Sequence, residues 1–130
     1  MLFRSASDWV PEGWTIEESI ALSKKMKESG VDLVDVSSGG NLHNARIKAV
    51  PGFQVPFAEA IRVGAGIPTT AVGMITEAKQ ADEIVSSGKA DAVFLARAMI
   101  RNPRWAMNAA EELGVKIDWS PQFDRGRTLN

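Results

Sequence analysis

An α/β fold on a parallel sheet is what this sequence predicts, and three features predict it. Short β-branched runs alternate with helical segments, most of the turns between them are brief, and two successive runs end in the same way. Those two are Pro68-Thr-Thr-Ala-Val-Gly-Met-Ile-Thr76 and Ala90-Asp-Ala-Val-Phe-Leu-Ala-Arg97. Each is an apolar strand that stops at a backbone-permissive or basic residue and runs into a helix-start signal. Turns of this kind about twenty residues apart bring backbone N–H groups and one guanidinium to the same end of a parallel sheet, where a phosphate can dock. That is a cofactor site, or half of one.

The elements follow in order. Leu2 and Phe3 fit the stub of a first strand. Thr15-Ile-Glu-Glu18 has the form of a capping box, and the helix it opens runs through Lys24, Lys25 and Lys27 to a terminating Gly30. Cations in its last turns suit the helix dipole. Residues 31–37 alternate and are rich in valine, which reads as a strand. Pro56 is placed as an N1 proline for a helix carrying Phe57, Ala60 and Ile61. Strands are expected over 69–74 and 91–96. Between them Thr76 is expected to cap a helix with Ala78, Ala81, Ile84 and Val85 inward, stopped by Gly88. Asn102-Pro103 reads as a cap and N1 pair opening a helix that ends near Gly114.

Right-handed crossovers between parallel strands leave two architectures. A strand–helix period of about 25 to 37 residues fits part of a (β/α)₈ barrel or an open, doubly wound sheet, and a complete barrel needs ~250 residues. The chain has 130 residues, enough for one ordinary domain. Residues 1–119 form the α/β unit and 120–130 a polar tail that packs on something else or frays.

Composition removes several classes of function. A net charge of −1 with interspersed signs provides no basic stripe, so nucleic acid is not expected as a partner. The absence of cysteine excludes disulfides and thiolate metal sites. No apolar run approaches the roughly 20 residues of a membrane span, and the amino terminus does not resemble a signal peptide. The expectation is a soluble cytoplasmic protein without membrane contact.

Gly73 ends a buried strand where a side chain would block a ligand's approach to the main chain; a plain tight turn explains it equally. Arg97 follows an apolar strand at the same rim, and its guanidinium requires an anion there or a carboxylate. Together, on adjacent strand ends, they favour phosphate. Ser37-Ser-Gly-Gly40 offers hydroxyls and N–H groups to an anion, or serves as a loop entry. The long connection over 38–55 is either functional or a flexible excursion. Asp8 caps or pairs, with a catalytic carboxylate as the lesser alternative. His43, the sole histidine, reads as a loop residue, and no metal site is supported. Trp9, Trp14 and Trp105 read as packing, whereas Trp119 and Phe123 suit docking on a neighbouring subunit. No nucleophile–base pair is legible.

Taken as a set, Ser5-Ala-Ser-Asp-Trp9, Gly30-Val-Asp-Leu-Val-Asp-Val-Ser-Ser-Gly39, Pro51-Gly-Phe-Gln-Val55, Ala71-Val-Gly-Met-Ile-Thr76, Ala90-Asp-Ala-Val-Phe-Leu-Ala-Arg97 and Arg101-Asn-Pro103 closely resemble the old yellow enzyme family. The branch most similar is that of bacterial NADPH dehydrogenases, the thermophilic-like ene-reductases. The resemblance covers almost the whole chain, in the family's order. It implies an FMN enzyme on a (β/α)₈ TIM barrel that takes hydride from NADPH or NADH and delivers it to an activated C=C bond. This chain resembles the carboxyl-terminal half, strands five to eight. Gly73 and Met74 would lie beside the flavin phosphate, Ala96 and Arg97 would complete that pocket, and Ser37 would sit near the ribityl chain. Arg125 matches an arginine that reaches the adjacent subunit's active site.

Some positions depart from the family. Arg4 matches an arginine that contacts the flavin ring, but in the family one apolar residue separates it from the Ser-Ala-Ser-Asp run. Here Arg4 abuts Ser5, so either a residue is missing or the strand register is shifted by one, which would turn the side chain to the other face. Ala96 stands where glycine is frequent, and Phe123 lacks the hydroxyl of a tyrosine. The family's substrate-binding histidine or asparagine pair, proton-donor tyrosine and redox-tuning cysteine belong to the first half, and His43 inherits none of those roles.

A half barrel also exposes two strand edges and one sheet face. The expectation is self-association of two halves, pairing with a complementary half-barrel, or rearrangement into an open sheet with helices on both faces. The chain alone is expected to bind FMN weakly or not at all and to be catalytically poor. The alternative function is a non-catalytic phosphate-binding or engineered half-barrel module that self-associates.

Overall fold

The computed structural model describes residues 2–4 and 6–126, with residues 2–4 and Asp124 described by their backbone only. Four strands, β1 (Leu2–Arg4), β2 (Val34–Ser37), β3 (Thr69–Val72) and β4 (Ala92–Phe94), form one parallel sheet in the order β1-β2-β3-β4. The intervening helices are α1 (Ile16–Glu28), α2 (Val55–Ala65) and α3 (Ala78–Ser86). Beyond β4 come α4 (Arg97–Arg101), α5 (Trp105–Glu112) and a 3₁₀ turn over Pro121–Gly126. Strand order follows chain order without the reversal that a doubly wound sheet requires. Successive right-handed crossovers in one direction then stack the helices on one face, so the expected rearrangement with helices on both faces does not occur.

The covered face holds the core. Val34, Val36, Thr69 and Ala71 are wholly buried there with Ala58 and Ile61 of α2. The Thr69 hydroxyl donates to the Ala58 carbonyl, which lets a polar residue occupy that layer. Register places Asp35 beside Thr70, and Val72 beside Phe94, on the opposite face. The Thr70 hydroxyl donates to Asp35 Oδ1 at 2.6 Å, whereas Phe94 remains 47% exposed.

Helix ends follow the sequence closely in four places. Thr15 and Glu18 form the reciprocal capping box. The α1, α3 and α5 termini each close with paired bonds across a left-handed glycine, Gly30, Gly88 and Gly114, in the Schellman arrangement. Elsewhere the structure corrects the expectation. Glu77, not Thr76, occupies the N-cap of α3, without a side-chain cap bond, and the Thr76 N–H donates to Gln80 Oε1 at 3.1 Å. Val85 is 41% exposed rather than inward. Asn102 and Pro103 make the bend between α4 and α5, with Asn102 Oδ1 accepting the Arg104 N–H, and α5 begins only at Trp105. Strand β2 begins three residues later than expected, β3 ends two residues earlier, and β4 is shorter at both ends, the last expected residues of β3 and β4 belonging to strand-exit turns.

Among the described residues no helix is long and apolar enough to cross a membrane.

Candidate functional site at the strand exits

The exits of β3 and β4 enclose a cleft of about 220 Å³. Four of the residues singled out in the sequence, Gly73, Met74, Ala96 and Arg97, line it together, and Arg101 lines it as well. Arg101 went unremarked as a site residue, although its signal was present: Arg97 and Arg101 stand four apart in α4 and so share a helix face. Like charges at that spacing repel, and neither guanidinium has a carboxylate partner among the described residues. The salt-bridge alternative for Arg97 is therefore not realised within this set.

The turn after β3 has an unusual polarity. Gly73 and Met74 both adopt positive φ, 114° and 51°, and for Met74 this is a strained conformation. The carbonyls of this turn are nearly all engaged. Val72 O accepts from Gln54 Nε2 at 2.9 Å, Gly73 O from the Gly52 N–H at 3.1 Å, Met74 O from Gln80 Nε2 at 3.2 Å, and Thr76 O from Trp105 Nε1 at 2.8 Å. By contrast, no acceptor among the described residues meets the N–H groups of Gly73, Met74 or Ile75. Electronegative atoms are tied back and donors are left over, the pattern of a backbone nest for an anion.

Gly73 lacks a side chain for a reason the sequence did not disclose. A Cβ there would come within 2.5 Å of Gln54 Nε2 and 2.8 Å of Phe53. The glycine makes room for a brace from its own protein as well as relieving the backbone at φ 114°.

That brace originates in the long 38–55 connection. Gln54, buried at the amino end of α2, accepts from the Ser38 N–H and from Ser38 Oγ while donating to Val72 O. Ser38 Oγ in turn accepts from Trp9 Nε1 at 2.9 Å. The Ser38 donors are thus consumed internally, and the Gly39 N–H goes to Ser7 O. Of the two readings of Ser37-Ser-Gly-Gly40, loop entry prevails. Trp9, held at φ 61°, packs edge-on against Phe57 at 5.2 Å, consistent with a packing role. Trp14 and Trp105 likewise spend their indole N–H groups inside the protein, on Ser19 and Thr76.

The remaining sequence candidates lie elsewhere. Ser37 closes β2 half-buried and pairs in register with Arg4, whose side chain is outside the described residues. Arg125 is exposed in the 3₁₀ turn and does not line the cleft, and Phe123 sits under the Arg104 guanidinium at 5.6 Å. Asp8 accepts from the Trp14 N–H and Asn41 Nδ2 and so organises a loop. His43 is exposed in the 38–55 connection, and no metal-holding cluster of His, Cys, Asp or Glu occurs among the described residues.

At the other end of the sheet, Arg62 of α2 meets Asp91 through two bonds, 2.9 and 3.2 Å, and Asp91 also accepts the Thr69 N–H. The Arg62 guanidinium first, and the Thr69 N–H second, hold the Asp91 carboxyl below its ordinary value; Asp91 in turn raises Arg62.

The exits of adjacent parallel strands thus bring together, among the described residues, the Gly73–Ile75 turn after β3 and, after β4, two arginines without a carboxylate partner. The chain belongs to the NADH:flavin oxidoreductase / NADH oxidase family, the old yellow enzymes, whose model matches residues 3–115. It is 57% identical over 122 residues to an NADPH dehydrogenase of Geobacillus thermodenitrificans and 55% identical to one from a Geobacillus species. A Bacillus subtilis NADPH dehydrogenase is 47% identical over 122 residues. Each alignment covers 94% of this chain and 36% of the relative, so the chain spans about a third of the length of the curated relatives it matches.

Proposed function

We propose that this chain is the FMN-phosphate-anchoring part of an NADPH-dependent ene-reductase, built as strands five to eight of a (β/α)₈ barrel. The observation that carries the reading is the β3 exit turn, with its carbonyls engaged and its Gly73, Met74 and Ile75 N–H groups left over beside Arg97 and Arg101. A phosphate monoester fits this donor set: fixed backbone N–H groups with two guanidiniums match its charge and its acceptor oxygens. Family membership supports FMN as the bearer of that phosphate. When bound, FMN supplies the hydride chemistry; this chain's residues bind and orient its tail. In this reading Ser37 and Arg4 lie along the flavin from the phosphate, and Arg125 serves a neighbouring subunit.

The relatives are nearly three times as long as the stretch matched, and no acid–base pair is legible in these 130 residues. By themselves they are therefore proposed to be catalytically poor. Absorption spectroscopy is the direct test. A flavin band retained on purification, or gained on adding FMN, supports the anchoring role, and NADPH oxidation with an enone by this chain alone would overturn the proposed inactivity.

A second reading rests on Phe94, 47% exposed on the face opposite the core, and on the outer edges of β1 and β4. Apolar surface and unpaired strand edges favour coverage by another polypeptide. In that reading the module self-associates or meets a complementary half and has no catalytic role. A colourless protein that ignores added FMN and sediments as a dimer supports it.

A further inference from the structure

We propose that Gln54 and Gln80 are positioning residues for the phosphate site: side-chain amides that clamp the carbonyls of the β3 exit turn and so hold its N–H groups toward the ligand. The inference rests on the phosphate-anchoring reading and assigns it a device that no comparison supplies. The two glutamines come from different elements, one preceding α2 and one within α3, and they grip the turn two residues apart, at Val72 O and Met74 O. Each uses its amide in both senses. Gln54 accepts from Ser38 while donating to Val72, which ties the β2 exit to the β3 exit; Gln80 donates to Met74 O and accepts the Thr76 N–H, which closes the turn on itself.

A peptide unit has a carbonyl and an N–H on opposite sides, so fixing where the first points fixes where the second points. At Met74 this matters most, because positive φ is a conformation that a residue with a side chain leaves unless it is held. Glycine at position 73 admits Gln54 to its place, since a Cβ would collide with the amide. Neither glutamine lines the cleft. They act through the turn, and the proposal concerns its preorganisation, which lowers the conformational cost of ligand binding.

The test uses the isotope-labelled 130-residue chain, inorganic phosphate as probe, and amide NMR shifts at constant ionic strength. Wild type is expected to show saturable shifts at Gly73, Met74 and Ile75. Gln54→Met and Gln80→Met are each expected to weaken phosphate about fivefold or more, the scale of one ordinary hydrogen bond, with the largest changes at those amides. Arg62→Met, which breaks a tie at the far end of the sheet, serves as the control for general loosening and is expected to leave affinity within about twofold. Wild-type affinity in both glutamine variants would overturn the clamp and leave the anchoring reading standing. Equal weakening by Arg62→Met would overturn it too, because any destabilisation would then suffice. Absence of shifts in wild type would remove the anchoring reading and the clamp with it. Should Gln54→Met fail to fold, Gln80→Met decides the matter, since that side chain is only half-buried.

Discussion

The two ends of the sheet solve opposite problems with the same kinds of groups. At the entry to β3 and β4 a guanidinium and a carboxylate are matched: Arg62 meets Asp91, and Asp91 also takes the Thr69 N–H. At the exits Arg97 and Arg101 stand four residues apart with no carboxylate partner among the described residues, beside a turn whose carbonyls are nearly all engaged and whose Gly73, Met74 and Ile75 N–H groups meet no acceptor among them. The difference teaches where stability and function separate in this fold. One end joins a guanidinium, a carboxylate and a backbone N–H into one tie across the sheet; the other leaves solvent-exposed donors without a protein acceptor among the described residues, open to a ligand.

The strongest way to break this contrast is Gly73→Ala. It forces an L side chain to φ 114° and drives a Cβ into Gln54, so a loss of roughly 2–3 kcal/mol is expected by urea denaturation, together with loss of phosphate binding. Arg97→Ala sharpens it from the other side. With no partner inside the described protein, the change should leave stability within about 0.5 kcal/mol while weakening phosphate or FMN about tenfold, as read by parallel denaturation and fluorescence titration. Thr70→Val acts midway between the ends. It removes the hydroxyl bonded to buried Asp35, and a loss of about 1–2 kcal/mol without a change in ligand affinity is expected.

The smallest effect belongs to the entry end. Because the folded Asp91 carboxyl titrates below its unfolded value, its contribution is complete above the ordinary carboxylate value of ~3.9 and fades as pH falls below it. Asp91→Asn should therefore flatten the acid limb of a Tm-against-pH profile. At neutral pH the pair is too exposed for more than a slight drop in Tm. A larger neutral-pH loss from Asp91→Asn than from Gly73→Ala would invert the contrast between the ends.

Local signals were legible where the physics is local. The Thr15–Glu18 box and the left-handed glycines at 30, 88 and 114 depend on residues within one or two turns, and all four occur as the sequence implies. Gly73 and Arg97 were also recoverable together, since consecutive parallel strands must deliver their exits to one rim, whereas Met74 and Ala96 came with the family resemblance. Thr76 and Asn102 differ from the expectation because α3 starts one residue later, with Glu77 at its N-cap, and because the Asn102 side chain serves a bend.

By itself, then, the sequence determined the alternation of strands and helices, the helix stops and the rim at which the site lies, because these follow from periodicity, capping chemistry and the handedness of crossovers. Only the tertiary structure decided that the helices stack on one face and that Ser38 spends its donors on Gln54. It also decided that Gly73 yields space to an amide from a distant loop. The physical reason is that hydrogen-bond partners 16 to 18 residues apart are chosen by three-dimensional proximity, which no local pattern encodes.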